Sequence, residues 1–258
     1  MTTLDRHSKI VEIVTQNGQI SIPEICDKFD VSEMTARRDL NELDRQGLLR
    51  RVHKGAVVNL GRSFEPPFST RIVNNPEAKS KIGLRAAEMV VNGDSIALDV
   101  GTTTLEIVKG LKGKKNLTII TSCLQVASLV VDTLSLSDDV RLIIAGGVVR
   151  PRELSMVGAI TQSVYQNYHV DKAFIGIAGI SPVDGLTEYN LDDAQTKQII
   201  IKSAFKKIIV ADGSKLGLTT FATVAPLDSI DTIITDPTAP EDIVEQIREK
   251  GVDVIIAD

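Results

Sequence analysis

The sequence predicts an α/β protein in two parts: a small N-terminal part of three helices and a β-hairpin, and a larger C-terminal part in which strands and helices alternate. Its 258 residues suffice for one small and one medium domain. Apolar residues make up 43% of the chain and aromatic residues only 3%, so the cores must be aliphatic, as in buried parallel sheets. From Glu77 onward, apolar strand-like segments alternate with segments of helical periodicity.

Three short helices are predicted first. Residues 4–17 carry apolar side chains at helical spacing, and Gly18 can end that helix. The Ser-Ile-Pro-Glu sequence at 21–24 combines a capping box with a proline in the first turn, which predicts a second helix. A third helix is predicted to begin at Ser32, a good N-cap, and to end at Gly47. Its predicted buried face consists of Ala36, Leu40 and Leu43.

Residues 48–58 contain two short β-prone stretches around a basic turn with a glycine, which predicts a hairpin. Three helices followed by a hairpin are the outline of a winged helix-turn-helix domain, placed at residues 1–58. The charge is uneven: the net charge is −5, yet residues 36–62 hold 7 basic and 3 acidic side chains. A local basic patch on an acidic chain favours nucleic-acid binding by this part.

The outward face of the third helix and the hairpin carry the residues that we expect to bind DNA. A recognition helix places exposed N-terminal residues in the major groove, and arginine can contact guanine or clamp a phosphate. The alternatives are a solvated helix face and a winged helix that binds protein. The DNA-binding interpretation therefore depends on all the features together: three short helices, the outward arginines and the basic hairpin. The predicted DNA-binding residues are Ser32, Met34, Thr35, Arg37, Arg38, Asn41, Arg51, His53 and Lys54.

Residues 59–76 break the pattern with Pro66-Pro67 and Asn74-Asn75-Pro76, and they are predicted to be a linker. The second domain is placed at residues 77–258, where strands alternating with helices predict a parallel-rich sheet covered by helices. The predicted strands are 95–100, 117–121, 141–145, 172–176, 207–211, 232–235 and 252–256.

Three loops after predicted strands hold candidate ligand-binding residues, because ligands gather at the carboxyl ends of strands in open α/β sheets. One loop enters a helix through glycine and threonines, which suits a phosphate, although an ordinary capped turn is the alternative. A second loop has two glycines that allow close backbone approach. The residues concerned are Asp99, Gly101, Thr102, Thr103, Thr104, Gly146, Gly147, Arg150, Asp212 and Lys215.

Residues 31–40 (VSEMTARRDL), with Leu43, Gly47 and 51–56 (RVHKGA), resemble the signature of the DeoR family of bacterial regulators of sugar metabolism. The family usually has a second glycine at Lys54 and Ile or Val at Ala36. The resemblance implies a cytoplasmic transcriptional repressor that binds a double-stranded DNA operator as a homo-oligomer, a dimer or a tetramer.

The resemblance extends through the second domain, and it implies a fold resembling sugar-phosphate isomerases and a phosphorylated sugar as effector. Residues 99–104 match the phosphate-binding D-x-G-T-T of the family, and Thr196-Lys197 matches a further position, which adds Lys197 to the effector-binding residues. Ser122 stands where the family usually has asparagine, so a side-chain amide expected in the pocket is missing.

Catalysis is not expected, because an aldose–ketose isomerase needs a general base, usually a carboxylate. Residues 174–179 contain no acid, and Lys197 stands where a catalytic glutamate is expected although lysine is a poor base at its ordinary pKa. Glu188 and Asp192-Asp193 keep a sugar-phosphate isomerase with an appended winged helix as the alternative. A third interpretation is an architectural DNA-binding protein whose α/β domain only oligomerises.

Several classes of protein are not favoured by the sequence. No apolar run approaches the roughly 18 residues that span a bilayer, and the polar N-terminus lacks a signal-peptide core, so no membrane association is expected. Two cysteines and three histidines are scattered along the chain. They predict neither a disulfide nor a metal site, and no cofactor is expected.

Overall fold

The computed structural model describes residues 3–45, 48–58, 61–134 and 139–258. The chain divides into two compact units, Met1–Gly61 and Arg62–Asp258. Gly47, the predicted end of the third helix, lies outside the described residues. Within the part described, no helix is long and apolar enough to cross a membrane.

The first unit contains three helices and a three-stranded antiparallel sheet of order β1-β3-β2. Its elements are α1 (Thr3–Asn17), β1 (Gln19–Ser21), α2 (Ile22–Phe29), α3 (Glu33–Arg45), β2 (Leu49–Val52) and β3 (Gly55–Val58). The predicted helices and hairpin are confirmed. β1 was not predicted, because three residues are too few to show a period of two.

Local sequence signals set the helix ends of this unit. The capping box is present: the Glu24 N–H donates to Ser21 Oγ at 3.3 Å, and the Ser21 N–H donates to Glu24 Oε2 at 2.7 Å. α1 ends at Gly18, whose φ of 80° is left-handed. A Cβ on Gly55 would lie 2.0 Å from the Ile20 carbonyl oxygen, so β1 and β3 can pair closely only because residue 55 is glycine.

The core of the first unit is aliphatic. Ala36, Leu40 and Leu43 are buried, as predicted, and they pack with Ile10 and Ile25. Because α3 contributes three of these side chains, burial of its inner face fixes which residues remain on the outer face.

The second unit is a seven-stranded parallel sheet between two layers of helices. Its helices are α4 (Phe68–Val73), α5 (Pro76–Glu88), α6 (Thr102–Gly110), α7 (Leu124–Thr133), α8 (Ala159–Gln166), α9 (Leu191–Ser203) and α10 (Glu241–Glu249). Its strands are β4 (Ser95–Leu98), β5 (Leu117–Thr121), β6 (Val140–Ile144), β7 (Val148–Arg150), β8 (Ser155–Val157), β9 (Val170–Ile175), β10 (Gly179–Ser181), β11 (Gly185–Glu188), β12 (Ala204–Val210), β13 (Ala222–Ala225), β14 (Thr232–Thr235) and β15 (Asp253–Ile256).

The main sheet has the order β15-β14-β12-β9-β4-β5-β6, and every neighbouring pair is parallel. All seven predicted strands are found in it, so the predicted α/β fold class is confirmed. Side chains of α5, α6 and α7 pack on one face, and those of α8, α9 and α10 pack on the other. The chain leaves β4 toward β5 on one side, whereas β9 lies on the other side, which makes a topological switch point between β4 and β9.

Two smaller sheets were not predicted. β10, β11 and β13 form an antiparallel sheet, and β7 pairs with β8 in a hairpin. These strands are three or four residues long, which leaves little periodic signal. The hairpin turn carries Leu154 with a φ of 53°, an uncommon conformation for a leucine.

The segment predicted as a linker contributes to the second unit from Arg62 onward. Residues 68–73 form α4, and Phe68 is buried in the core on the α5–α7 face of the sheet. Both cysteines are free: Cys26 lies in the first unit and Cys123 is buried in the second. In the described ranges, no group of three or more metal-ligating side chains is arranged to hold an ion.

Candidate DNA interface and effector site

The first turn of α3 is capped as the sequence predicts. The Thr35 N–H donates to Ser32 Oγ at 3.2 Å, and the two hydroxyl oxygens lie 3.0 Å apart. Ser32 therefore satisfies one of the free N–H groups of this helix end. Because both hydroxyls are engaged with each other, the N-terminus of α3 is presented in one defined geometry.

The predicted base-reading residues lie together on the outer face of α3. Met34 is 73% exposed, Thr35 is half-buried, and Arg37, Arg38 and Asn41 are exposed. Arg37 contacts Glu33 at 3.3 Å one turn earlier, where both side chains are largely exposed. Such a surface pair is weak, so the guanidinium is readily transferred to another acceptor.

The hairpin is tied to α3 by Arg51. Its guanidinium donates to Asn41 Oδ1, and its backbone N–H donates to Asp44 Oδ1 at 2.9 Å. His53 and Lys54 form the exposed turn of the hairpin, and neither has a positive φ. The glycine usual at position 54 is therefore not required by this backbone, and Lys54 adds a cation where the wing meets solvent.

A buried ion pair that the sequence analysis missed fixes α3 to α1. Arg6 Nε donates to Asp39 Oδ2 at 2.6 Å, and His7 Nε2 lies 3.0 Å from Asp39 Oδ1. Burial raises the pKa of Asp39, but its hydrogen bonds with Arg6 and His7 outweigh this, and the net pKa is lowered. The sequence did contain a signal for the burial of Asp39. Asp39 lies three residues after Ala36 and therefore on the inner face of α3.

At the switch point of the second unit, Asp99 and Lys197 meet. Lys197 Nζ donates to Asp99 Oδ2 and, at 2.7 Å, to the Gly176 carbonyl oxygen, and Glu188 Oε1 lies 3.3 Å away. The Lys197 side chain is only 5% exposed. In this state its charge is compensated by two carboxylates of the protein, so it does not present a free cation.

The loop between Asp99 and α6 is closed by hydrogen bonds among its own residues. The Thr104 hydroxyl lies 2.8 Å from the carbonyl oxygens of Asp99 and Gly101, so it stabilises the loop itself. Thr102 and Thr103 form the first turn of α6 and are nearly buried. Their backbone N–H groups belong to a helix N-terminus, which favours an anion.

Lys79, which the sequence analysis did not select, lies beside this turn. A Cβ on Gly83 would lie 2.4 Å from Glu106 Cβ, and one on Gly110 would lie 2.5 Å from Ala87 Cβ, so α5 and α6 run parallel in close contact. Lys79 is one turn before Gly83 and is therefore level with Thr102, one turn before Glu106.

The Lys79 ammonium lies at the carboxyl end of α4. It donates to the carbonyl oxygens of Arg71 and Asn74. Burial is the main reason that its pKa falls to about 8; the charge of Asp212 opposes the fall, and the charges of Lys215 and Arg71 add to it. The sequence signal was a lysine on the buried face of α5, at helical spacing from Ile82 and Gly83.

Asp212 and Lys215 lie near enough to Lys79 for their charges to affect its pKa. Asp212 Oδ1 accepts from the Ser214 N–H and from Asn75 Nδ2, each at 3.1 Å, so its carboxylate caps the turn after β12. Lys215 is half-buried. Two parallel helix N-termini, Lys79 and Lys215 thus converge at the carboxyl end of the sheet, with Asp212 as a neighbouring carboxylate.

The remaining predicted effector residues lie toward the edge of the sheet. A Cβ on Gly147 would lie 2.1 Å from Thr161 Oγ1, and Thr161 Oγ1 donates to the Gly146 carbonyl oxygen at 2.7 Å. The close approach at this glycine pair is thus to α8. Arg150 contacts Glu65 and Asp193.

Asp193, in the first turn of α9, is a buried carboxylate with an altered pKa. Burial is the main reason that the pKa of Asp193 rises to about 7. The positive charges of Arg150 and Lys197 lower the pKa, and the negative charges of Glu188 and Glu65 raise it. The folded protein therefore holds a proton on Asp193 over a pH range in which an unfolded chain, with an ordinary value of 3.8, has released it.

We expect this group to make stability fall as the pH rises from roughly 4 to 7, by at most about 1.4 kcal/mol per pH unit. The folded state binds more protons than the unfolded state in that window, which fixes the sign. Melting temperatures of the wild type and of Asp193→Asn, compared between pH 4.5 and 8, measure it. The slope should flatten in the variant, and equal slopes would contradict the assignment.

The two units together define a class of protein: a DNA-binding regulator with a C-terminal sensor domain. Comparisons agree with that class. Residues 6–61 match the DeoR-like helix-turn-helix domain, and residues 74–237 match the DeoR C terminal sensor domain. The chain belongs to the DeoR family of transcriptional regulators.

Relatives match along nearly their whole length. The glycerol-3-phosphate regulon repressor of Escherichia coli is 32% identical, over 96% of this chain and 97% of that protein. The regulator GolR of Listeria innocua is 31% identical over 100% of both. The repressor GlcR of Bacillus subtilis is 32% identical over 98% and 96%. All three relatives are named as regulators or repressors. The prediction that the protein is a regulator and not an enzyme is therefore confirmed.

More distant solved structures were also found. The sorbitol operon regulator SorC from Klebsiella pneumoniae is 13% identical over 96% of this chain and 99% of that chain, with a TM-score of 0.42. A ribose 5-phosphate isomerase from Methanocaldococcus jannaschii is 17% identical over 55% of each chain, with a TM-score of 0.40.

Proposed function

We propose that the protein represses a carbohydrate catabolic operon in the cytoplasm and is released from, or retained on, its operator by a phosphorylated sugar. Residues 1–58 bind DNA, residues 77–258 bind the effector, and residues 59–76 join them. The proposal that a phosphorylated sugar binds depends on one observation. The N-termini of two parallel helices, α5 and α6, converge with Lys79 and Lys215, and that arrangement suits a phosphate.

On DNA, α3 enters the major groove and the hairpin contacts the flanking backbone. Met34, Arg37, Arg38 and Asn41 share the exposed face that such docking requires, and the Arg51–Asn41 hydrogen bond holds the hairpin against that helix. One such domain makes few base contacts, so we propose a homo-oligomer, a dimer or a tetramer, on repeated half-sites.

In the sensor, the N-terminus of α6 at Gly101–Thr104, with Lys79 and Lys215, holds the phosphate. Asp99, Lys197 and Arg150 border the neighbouring space and face the sugar. Binding regulates the protein only if the effector has different affinities for the two states that differ in DNA affinity.

The Arg37→Ala variant should weaken binding to the operator by about tenfold or more while changing binding to unrelated DNA little, if Arg37 reads a base. Arg45→Ala, an exposed arginine at the opposite end of α3, is the matched control. Competition titrations with specific and non-specific duplexes at fixed salt measure both. An equal loss on both duplexes would reassign Arg37 to phosphate contact.

The whole proposal is tested by fluorescence anisotropy on a labelled fragment of the upstream region of its own gene. Excess non-specific DNA is present, and a panel of sugar phosphates is added at fixed salt. Tight binding changed by one compound is the expected result. Tight binding that no compound changes contradicts the proposal that a sugar phosphate is the effector. An absence of specific binding contradicts the proposal that the operator lies in this upstream region.

A further inference from the structure

The chain just before α4 places a carboxylate against Arg150, one of the proposed effector-binding residues. Glu65 Oε2 contacts Arg150 Nη2, and Glu65 Oε1 lies 3.7 Å from Arg71 Nη2. The Glu65 side chain is 15% exposed and that of Arg150 is 20% exposed. The pair is therefore largely shielded from water, and salt screens it less than it screens a surface pair.

Both ends of the Arg150 guanidinium are held by carboxylates of the protein. Nη1 contacts Asp193 in the first turn of α9, and Nη2 contacts Glu65. An anionic group of a ligand that pairs with either of these two nitrogen atoms competes with the carboxylate already there. Glu65 is the one whose backbone can move away, because it lies outside any helix or strand whereas Asp193 is fixed in the first turn of α9.

We propose that Glu65 is an internal competitor of the effector: its carboxylate occupies Arg150 until an anionic group of the effector displaces it. This inference rests on the proposed function, since Arg150 is one of the proposed effector-binding residues. Glu65 lies four residues after Gly61, the last residue of the first unit. Displacement thus frees the chain at the exit of the DNA-binding unit, which links effector binding to that unit.

The contacts of Arg71 limit how far the release extends. Arg71 Nη2 also contacts Glu153 of the β7–β8 turn, and Arg71 Nε donates to the Pro66 carbonyl oxygen at 3.0 Å. These contacts hold Pro66 and α4 when Glu65 leaves. The released segment is therefore short, residues 62–65, and the α4–α5 arrangement around Lys79 is kept for the effector.

The first arm of the test needs no effector. Arg62 is exposed, and trypsin cleavage of the following bond reports opening of residues 62–65. In the full-length protein, Glu65→Gln should be cleaved there about tenfold faster than the wild type. Glu88→Gln, which removes an exposed pair with Arg85, is the matched control and should leave the rate unchanged. An unchanged rate in Glu65→Gln overturns the proposal.

The second arm is calorimetry of the same proteins with glucose 6-phosphate, fructose 6-phosphate and glycerol 3-phosphate. The compound that binds the wild type should bind Glu65→Gln about tenfold more tightly, because the competing negative charge is gone. Equal or weaker binding overturns the role of Glu65 and leaves the proposed function standing. Binding of no compound to either protein contradicts the proposed effector class, and the competitor proposal falls with it.

If Glu65→Gln fails to fold, proteolysis of the wild type with and without the effector tests the proposal. Saturation with the compound that binds should accelerate cleavage after Arg62, because the bound anion displaces Glu65. Slower or unchanged cleavage overturns the proposal.

Discussion

Replacing Asp39 by alanine is expected to destabilise the first unit by about 3–5 kcal/mol and to abolish operator binding at growth temperature. The substitution leaves the Arg6 guanidinium buried without its carboxylate, and breaking a buried ion pair by removing one partner costs about that much. The loss corresponds to a factor of roughly 100 to several thousand in the folding equilibrium. We expect operator binding to be lost with it, because Asp39 ties α3, the proposed recognition helix, to α1.

Urea unfolding of the full-length protein, followed by circular dichroism, measures this effect as a shift of the first transition. Glu33→Ala is the matched control, because Glu33 is an exposed acid on the same helix whose pair with Arg37 is weak. If both variants unfold at the same urea concentration, the Arg6–Asp39 pair does not stabilise the unit.

Replacing Lys79 by methionine is expected to weaken effector binding by about 10- to 100-fold and to remove the response of the DNA complex. A hydrogen bond to a charged group contributes about 1.5–3 kcal/mol, and methionine keeps the apolar stem while it removes the ammonium. Calorimetry with the active sugar phosphate gives the affinity, and anisotropy on the operator gives the response.

Two controls separate this effect from misfolding. Lys81→Met changes an exposed lysine of the same helix and should leave the affinity unchanged. The melting temperature of Lys79→Met shows whether the carbonyl oxygens of Arg71 and Asn74, which lose their donor, destabilise α4. Equal effector affinity in the two variants would exclude Lys79 from the phosphate site.

The proposed effector also bears on Lys79 through its protonation. Since the pKa of Lys79 is about 8, a part of the population is neutral slightly above neutral pH. A bound phosphate favours the charged form, so binding near pH 8 should draw a proton from solution. The Lys79→Met variant lacks this group and thus gives the reference for that proton uptake.

Much of the architecture could be predicted from the sequence, because local sequence patterns determine it. The Ser21–Glu24 capping box, the buried face of α3 and the seven strands of the parallel sheet depend on neighbouring residues or on a regular period. Local spacing likewise put the arginines on the outer face of α3. The 31–40 motif carried the family assignment.

What the tertiary structure alone decided are contacts between residues far apart in the chain. Asp39 with Arg6, Lys197 with Asp99, Lys79 with the end of α4, and Glu65 with Arg150 join separate elements. Each places a charge in a poorly hydrated setting, where its partners fix its role. The sequence by itself determined which ionisable residues the protein has, and only the folded chain decided which of them are paired with one another, because a buried charge is costly unless it has a partner.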